Sequence, residues 1–256
     1  MSEKLLIEIE DHIAKLTINN PPANTWDQES LSFLKRTIEE LNINKEIFSL
    51  VITGKGDKFF SAGADLKVFD QGGKEAASEM ANAFANAFSS LSNFRGVSIA
   101  AINGFAMGGG LECALACDIR IVEEQAKLAL PEPKVGLLPC GGGTQQLPRL
   151  IGEGWAKRMI LAGEQVDAEL GLRIGLVEEV VETGKSFTKG IELAEQVCNQ
   201  SPLSVSACKE LIHSARSQQN SYESELKPFV ELFDTKDQKE GVSAFLEKRP
   251  PKWRNA

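Results

Sequence analysis

Two acids stand out for where they sit. Glu112 follows three consecutive glycines, Gly108 to Gly110, at the head of an apolar segment, Leu111-Glu-Cys-Ala-Leu-Ala-Cys117. Glu132 lies between two prolines in Pro131-Glu-Pro-Lys-Val-Gly-Leu-Leu-Pro-Cys-Gly-Gly-Gly-Thr144. A carboxylate among apolar or glycine-rich neighbours is a candidate for proton transfer, because such surroundings shift its pKa. Glycine turns follow two apolar strand-like runs, at Ser61-Ala-Gly-Ala-Asp65 and at Gly108-Gly-Gly110. One backbone N–H from each could bind an oxyanion. The plainer readings are a helix N-terminal charge for Glu112, worth under about 1 kcal/mol when exposed, and a solvated loop acid for Glu132. Sequence position alone leaves both readings open.

Other chemistries lose their signatures. Gly104-x-x-x-Gly108-Gly-Gly is not the dinucleotide-binding Gly-x-Gly-x-x-Gly. Thr183-Gly-Lys-Ser186 resembles the end of a P-loop, but Glu179 occupies the required first glycine position. Ser61 is preceded two residues earlier by Phe59, so it sits in no nucleophile elbow. With two histidines, His12 and His213, a multi-histidine metal centre is not expected. The five cysteines, Cys113, Cys117, Cys140, Cys198 and Cys208, include no Cys-x-x-Cys spacing and point to neither a disulfide framework nor a zinc site. A formal net charge of -8 disfavours a broad nucleic-acid surface. The N-terminal residues alternate like a strand and lack a signal-peptide core, and no apolar run reaches the roughly eighteen residues of a membrane span. A soluble, cytoplasmic chain is expected.

Strands alternating with helices must position the two acids. Leu6–Glu10 and Ile13–Ile18 alternate apolar and polar residues about Asp11-His12 and predict a hairpin. A helix follows over 27–42, then a strand over 49–53 running into a polar loop that ends in the first glycine turn. Met80, Phe84, Ala87, Phe88 and Leu91 lie on one face of a helix predicted over 75–94. A buried strand over 97–102 leads to the second turn, a helix over 109–117 and a strand over 118–122. The Pro/Gly density of 131–144 predicts a shaped loop. Further short helices near 155 and 168–174 and a strand over 176–181 complete an α/β core of βαβ-type units. Beyond 185 the pattern is helical, over 187–199, 203–217, 222–234 and 237–248. The apolar stripes there, Ile191, Leu193, Ala194 and Val197 and then Leu203, Ala207, Leu211 and Ile212, suggest an outer layer packed on a neighbouring subunit.

Several motifs in order then resemble the enoyl-CoA hydratase/isomerase (crotonase) superfamily. They are Phe60-Ser-Ala-Gly-Ala-Asp-Leu-Lys67, Asn103-Gly-x-x-x-Gly-Gly-Gly-x-Glu112, Cys117-Asp118, Pro131-Glu132 and Gly136-x-x-Pro139-x-x-Gly-Gly-Thr-Gln145. The resemblance runs from the turn at Asn24 to Pro250. It implies that the Ala64 and Gly109 N–H groups form the oxyanion hole for a thioester carbonyl. It makes Glu112 and Glu132 the two glutamates of the hydratase branch, with Glu132 as proton donor to C2 and Glu112 as orienter and base for water. The loop around Ala62, Asp65 and Leu66 matches the segment that cradles the CoA adenine end, and Gly108 and Cys140 join these as substrate-binding positions.

Two positions depart from the family pattern. Relatives usually carry glycine where this chain has Cys140, and a side chain there would narrow the space beside the water or the acyl group, altering acyl preference. Gln146 stands where arginine is common. Lys248 and Arg249 are candidates to reach CoA phosphates, with a solvated helix end as the simpler reading.

The implied fold is α/β and crotonase-like, of repeated ββα units, with a core over 1–185 and a helical trimerisation region over 186–256. The implied reaction is the reversible syn addition of water to a 2-trans-enoyl-CoA, giving a 3-hydroxyacyl-CoA, in fatty-acid or related acyl-CoA metabolism. No metal or cofactor is expected beyond the CoA of the acyl-CoA substrate. The expected assembly is a homotrimer or homohexamer, with no nucleic-acid or membrane partner. Rival expectations are a double-bond isomerase or another acyl-CoA reaction of the family, and a non-catalytic scaffold binding CoA or RNA.

Overall fold

The computed structural model of the 256-residue chain describes residues 4–66, 73–215 and 234–256. Two sheets form the core. The larger has the order β1-β2-β3-β5-β7-β10, from β1 (Leu5–Glu10), β2 (Ile13–Ile18), β3 (Ser49–Gly54), β5 (Val97–Ile102), β7 (Ile119–Glu123) and β10 (Glu179–Val181). β1 and β2 are the expected antiparallel hairpin, and all other neighbours in this sheet run parallel. The smaller sheet has the order β4-β6-β8-β9, from β4 (Phe59–Ser61), β6 (Phe105–Met107), β8 (Lys127–Ala129) and β9 (Val166–Asp167).

The two sheets are stitched together by repetition. β3, β5 and β7 each leave the large sheet, turn a short corner and continue as β4, β6 and β8 of the small one. Helices follow each pair: α2 (Gly73–Ser92) after β4, α3 (Gly109–Ala116) after β6, and α4 (Gly143–Leu161) after β8 and a 3-10 turn (Glu132–Val135). These are the repeated ββα units expected from the resemblance. The three-residue strands β4 and β6 fall where the sequence predicts a polar loop and part of a glycine turn. They are too short to show an alternation of their own.

One side chain locks two of the corners. Asn103, buried after β5, accepts from Gly54 N at 3.1 Å and donates to Gly54 O at 2.8 Å and Gly56 O at 2.7 Å. Its carboxamide thereby satisfies backbone groups that leave the β3 ladder at the corner.

α1 (Gln28–Ile43) opens on the Asp27 side chain, which accepts from Ser30 N at 2.9 Å, and buries Leu31, Leu34, Ile38 and Leu41. α2 buries Met80, Phe84, Ala87, Phe88 and Leu91, the stripe predicted for it. α4 is broken at Gly152, whose φ of 76° is open to glycine at little cost. α5 (Ala168–Ile174) ends at Gly175 in the left-handed region, as expected.

α6 (Ser186–Cys198) differs from expectation. Ala194 is buried with Ile13, Val51, Ile99, Ala101 and Ile121, and Ile191 and Leu193 pack on that cluster. This stripe therefore covers the second face of the protein's own large sheet. A parallel sheet needs both faces covered, and α6 supplies what α1 and α2 leave bare.

α7 (Pro202–Ser214) and α8 (Lys236–Glu247) follow, with Ile212 66% and Val242 52% exposed. The helix expected over 222–234 lies outside the described residues, apart from Asp234. The C-terminus returns to the core, where Asn255 donates to Lys45 O. Among the described residues no helix is long and apolar enough to cross a membrane.

Candidate active site

The two glycine turns are in direct contact. A Cβ placed on Gly63 would stand 2.7 Å from Met107 O and 3.1 Å from Gly109 N, and Gly63 has a φ of 90°. Only glycine fits both the space and the backbone there. A Cβ on Gly110 would stand 2.1 Å from Ser61 O, so the second turn needs glycine for the same contact.

The first turn is held from its other side by the buried Trp26. A parallel bridge joins Trp26 to Ala64, with Trp26 N donating to Gly63 O at 2.8 Å and Asp65 N donating to Trp26 O at 3.0 Å. That pairing uses the residues either side of Ala64 and leaves the Ala64 N–H pointing the opposite way. Gly109 is the first residue of α3, where N–H groups have no partner within the helix. Among the described residues neither the Ala64 nor the Gly109 N–H has an acceptor. Two donors from two ββα units therefore lie side by side, one of them at the positive end of a helix.

Glu112 is on the first turn of α3 and is 2% exposed. An exposed helix-end charge, the simpler reading of this residue, does not describe it. Its Oε1 accepts from Gly141 N and Gly143 N, each at 2.8 Å. Burial raises its pKa, and these two donors oppose the rise. The Pro/Gly loop thus wraps glycine N–H groups around one oxygen of Glu112. A Cβ on Gly143 would meet Leu130 Cδ1 at 2.8 Å and that same Oε1 at 3.0 Å.

Glu132 opens the 3-10 turn, and its Oε1 lies against Gly108, where an added Cβ would stand 3.0 Å away. Its Oε2 is buried and has no hydrogen-bond partner among the described residues. Burial, with the charge of Glu112 adding to it, pushes this carboxyl up to about 7. The pair is thus differentiated by environment, with one acid held by two donors and the other left with a buried, bare oxygen.

A cavity of about 320 Å³ joins these groups. Ala62, Ala64, Leu66, Gly108, Gly109, Glu112, Glu132 and Cys140 all line it. Asp65 alone of the expected site residues does not, its backbone N–H being engaged by Trp26. Sequence reasoning missed the apolar part of the wall. Phe84 from α2 forms one side, and Val135, Leu137 and Leu138, which are 55%, 38% and 67% exposed, rim the mouth. The available signal was an apolar run inside a loop too rich in proline and glycine to enter the core.

Cys140 carries a thiol pushed up to about 11 by burial and by the charges of Glu112 and Glu132, so it is a neutral wall residue at physiological pH. Arg249, which with Lys248 has a solvated helix end as its simpler reading, ion-pairs with Glu240 and Glu247, each at 2.6 Å.

A larger cavity of about 680 Å³ lies elsewhere, between α7, the start of β7 and Trp253. Its acid, Asp118, accepts from Ser98 N and Oγ and from Lys209 Nζ. Burial opposes ionisation there, but His213, Lys209 and Ser98 together hold the carboxyl below its usual range. That acid is committed to structure, so size does not identify the site. Among the described residues no cluster of His, Cys, Asp or Glu has the makings of a metal centre.

The chain itself has relatives. A sequence model of the family described as enoyl-CoA hydratase/isomerase matches residues 8–256. The chain belongs to the enoyl-CoA hydratase/isomerase family. It is 36% identical over 250 residues to the short-chain-enoyl-CoA hydratase of Clostridium acetobutylicum, covering 96% of this chain and 95% of the relative.

Among solved structures of similar proteins, DspI of Pseudomonas aeruginosa is 59% identical with a TM-score of 0.96, over 99% of this chain and 97% of that one. An enoyl-CoA hydratase from Bacillus anthracis is 34% identical with a TM-score of 0.95, over 99% of this chain and 100% of that one. The stacked ββα units of this family member are accordingly the crotonase fold.

Proposed function

We propose that this family member is an enoyl-CoA hydratase, adding water reversibly and syn across a 2-trans-enoyl-CoA to give a 3-hydroxyacyl-CoA. The observation that carries the reading is that a buried carboxylate, Glu112, a half-buried one with a buried oxygen, Glu132, and two unengaged backbone N–H groups line one cavity. The thioester oxygen sits between the Ala64 and Gly109 N–H groups. As oxygen adds to C3, negative charge moves to that thioester oxygen, and the two fixed donors stabilise the enolate.

Ionised Glu112 orients a water molecule and takes its proton. Glu132, whose carboxyl at about 7 is half protonated at neutral pH, gives a proton to C2. The proton gained by one acid balances the proton lost by the other, so the pair holds one proton before and after turnover. No metal or resident cofactor enters this scheme, and CoA arrives with the substrate.

Mixing the protein with crotonyl-CoA and following absorbance of the conjugated enoyl thioester tests the reading. Absorbance falls if the enzyme is a hydratase.

The bare oxygen and raised pKa of Glu132 favour one second reading, proton shuttling by a single carboxylate between C4 and C2 of a 3-enoyl-CoA. In that case a 3-enoyl-CoA gains conjugation while crotonyl-CoA stays inert.

We also propose that the enzyme is a cytoplasmic homotrimer or a hexamer of two trimers, associating through the C-terminal region beyond α6, which covers the chain's own sheet. Ile212 on α7 and Val242 on α8 are exposed apolar side chains that such an interface would cover. Light scattering on the eluting protein would return the subunit number.

A further inference from the structure

Cys140 lines two cavities. One is the catalytic cavity of about 320 Å³, and the other is a space of about 470 Å³ between α2 and the start of α4. Cys140 is the residue that the two linings share. Phe84 faces the catalytic cavity, and Phe88, one helical turn further on α2, faces the second. Their rings meet edge to face with centroids 5.5 Å apart, and both are 2% exposed. Phe88 is fixed further by Gly141, where an added Cβ would lie 2.6 Å from its ring, and by an edge contact with Trp26. The two rings are thus packed on several sides, and Cys140 is the small side chain beside them.

The direction of the substrate follows from the proposed function, on which this inference rests. With the thioester oxygen at Ala64 and Gly109, and C2 and C3 beside the two acids, the loop whose Gly141 and Gly143 hold Glu112 adjoins the start of the acyl tail. That loop contains Cys140. Beyond it the second cavity widens toward solvent between Ala85 and Ser89 on α2 and Thr144 and Gln145 on α4.

We propose that the second cavity receives the distal part of the acyl group, and that the Cys140 side chain is the filter between the two spaces. The substrate class so defined is the 2-enoyl-CoA whose tail outgrows the catalytic cavity, with a polar or solvated terminus accommodated at the far end.

The test is the ratio of kcat/KM for a straight medium-chain 2-enoyl-CoA to that for crotonyl-CoA, in the full-length protein. Cys140→Gly opens the wall and raises the ratio by about tenfold or more, the scale set by one or two methylenes in an apolar pocket. Cys140→Leu closes the wall and lowers the ratio by a similar factor. Ala85→Trp, on the exposed face of α2, fills the second cavity from outside and also lowers the ratio. An unchanged ratio in all three variants, with crotonyl-CoA still hydrated, overturns the filter and leaves the proposed function standing. Failure of the wild type to hydrate either substrate overturns both together.

Discussion

Gly143 N points at Glu112 Oε1 from 2.8 Å, and a Cβ on Gly143 would crowd the oxygen it serves. The loop donates to the acid only because it has no side chain there. Glu112→Gln keeps an oxygen able to accept from both Gly141 and Gly143 while removing the base. Hydration of crotonyl-CoA is expected to fall by about 10² to 10⁴, with the melting temperature little changed. A variant retaining full activity would remove Glu112 from the reaction.

The pH profile follows from a shared proton. In the proposed reaction, hydration needs Glu112 ionised and Glu132 protonated, and the reverse reaction needs the same single proton on the other acid. The Glu132 carboxyl titrates at about 7, so kcat/KM falls as pH rises through that value. Both acids are protonated at the acid end, where the limb lies above the ordinary glutamate range because burial raises Glu112. Hydration and dehydration are expected to follow one bell, since the equilibrium itself consumes no proton. Opposite alkaline limbs for the two directions would contradict this assignment.

Stability carries the same signature. The folded Glu132 carboxyl sits at about 7 against an ordinary 4.5, so the fold binds a proton that the unfolded chain releases. The fold therefore loses stability as pH rises from about 4.5 through about 7. Glu132→Gln abolishes that loss. Thermal unfolding is expected to show the variant melting several degrees above wild type at pH 8, at about 2–4 °C for each kcal/mol in a chain of this size. The advantage should vanish near pH 4.

Gly63→Ala tests the contact between the glycine turns. Its φ of 90° and the 2.7 Å approach to Met107 O require the two turns to move apart. The expected cost is about 1–3 kcal/mol of stability. A fall of about 10²-fold or more in kcat should accompany it, as for loss of one oxyanion donor. KM for crotonyl-CoA should move far less than kcat.

How much of this was legible in the sequence depended on the kind of signal. The long periodic elements, α2 with its Phe84 and Phe88 stripe above all, declared themselves because burial imposes a helical repeat. Glu112 and Glu132 were visible by composition, as acids where acids are costly. Neither the donation from Gly141 and Gly143 to Glu112 nor the contact between Gly63 and Gly109 was visible, because glycine records that space is short without recording what fills it. The destination of the α6 stripe was hidden as well. An apolar helix face says that it must be covered, and only the topology of the sheet says by what.

Asn103→Ala removes an amide that meets Gly54 N, Gly54 O and Gly56 O from within the core. Leaving those backbone groups without partners is expected to cost about 2–4 kcal/mol, read from denaturant unfolding. Asn103→Asp keeps the acceptor for Gly54 N but turns a charge toward two carbonyl oxygens, so it should be no better tolerated.

Trp26 gives this enzyme an optical reporter of its own. Its indole is buried, its Nε1 has no hydrogen-bond partner among the described residues, and its backbone is bridged to Ala64. An indole in that setting emits toward the blue, and its ring meets Phe88 edge-on beside the proposed acyl path. Occupation of the cavity should therefore register as a change in tryptophan emission before any chemistry occurs. With Trp155 and Trp253 replaced by Phe, thioester capture can be timed separately from the addition of water.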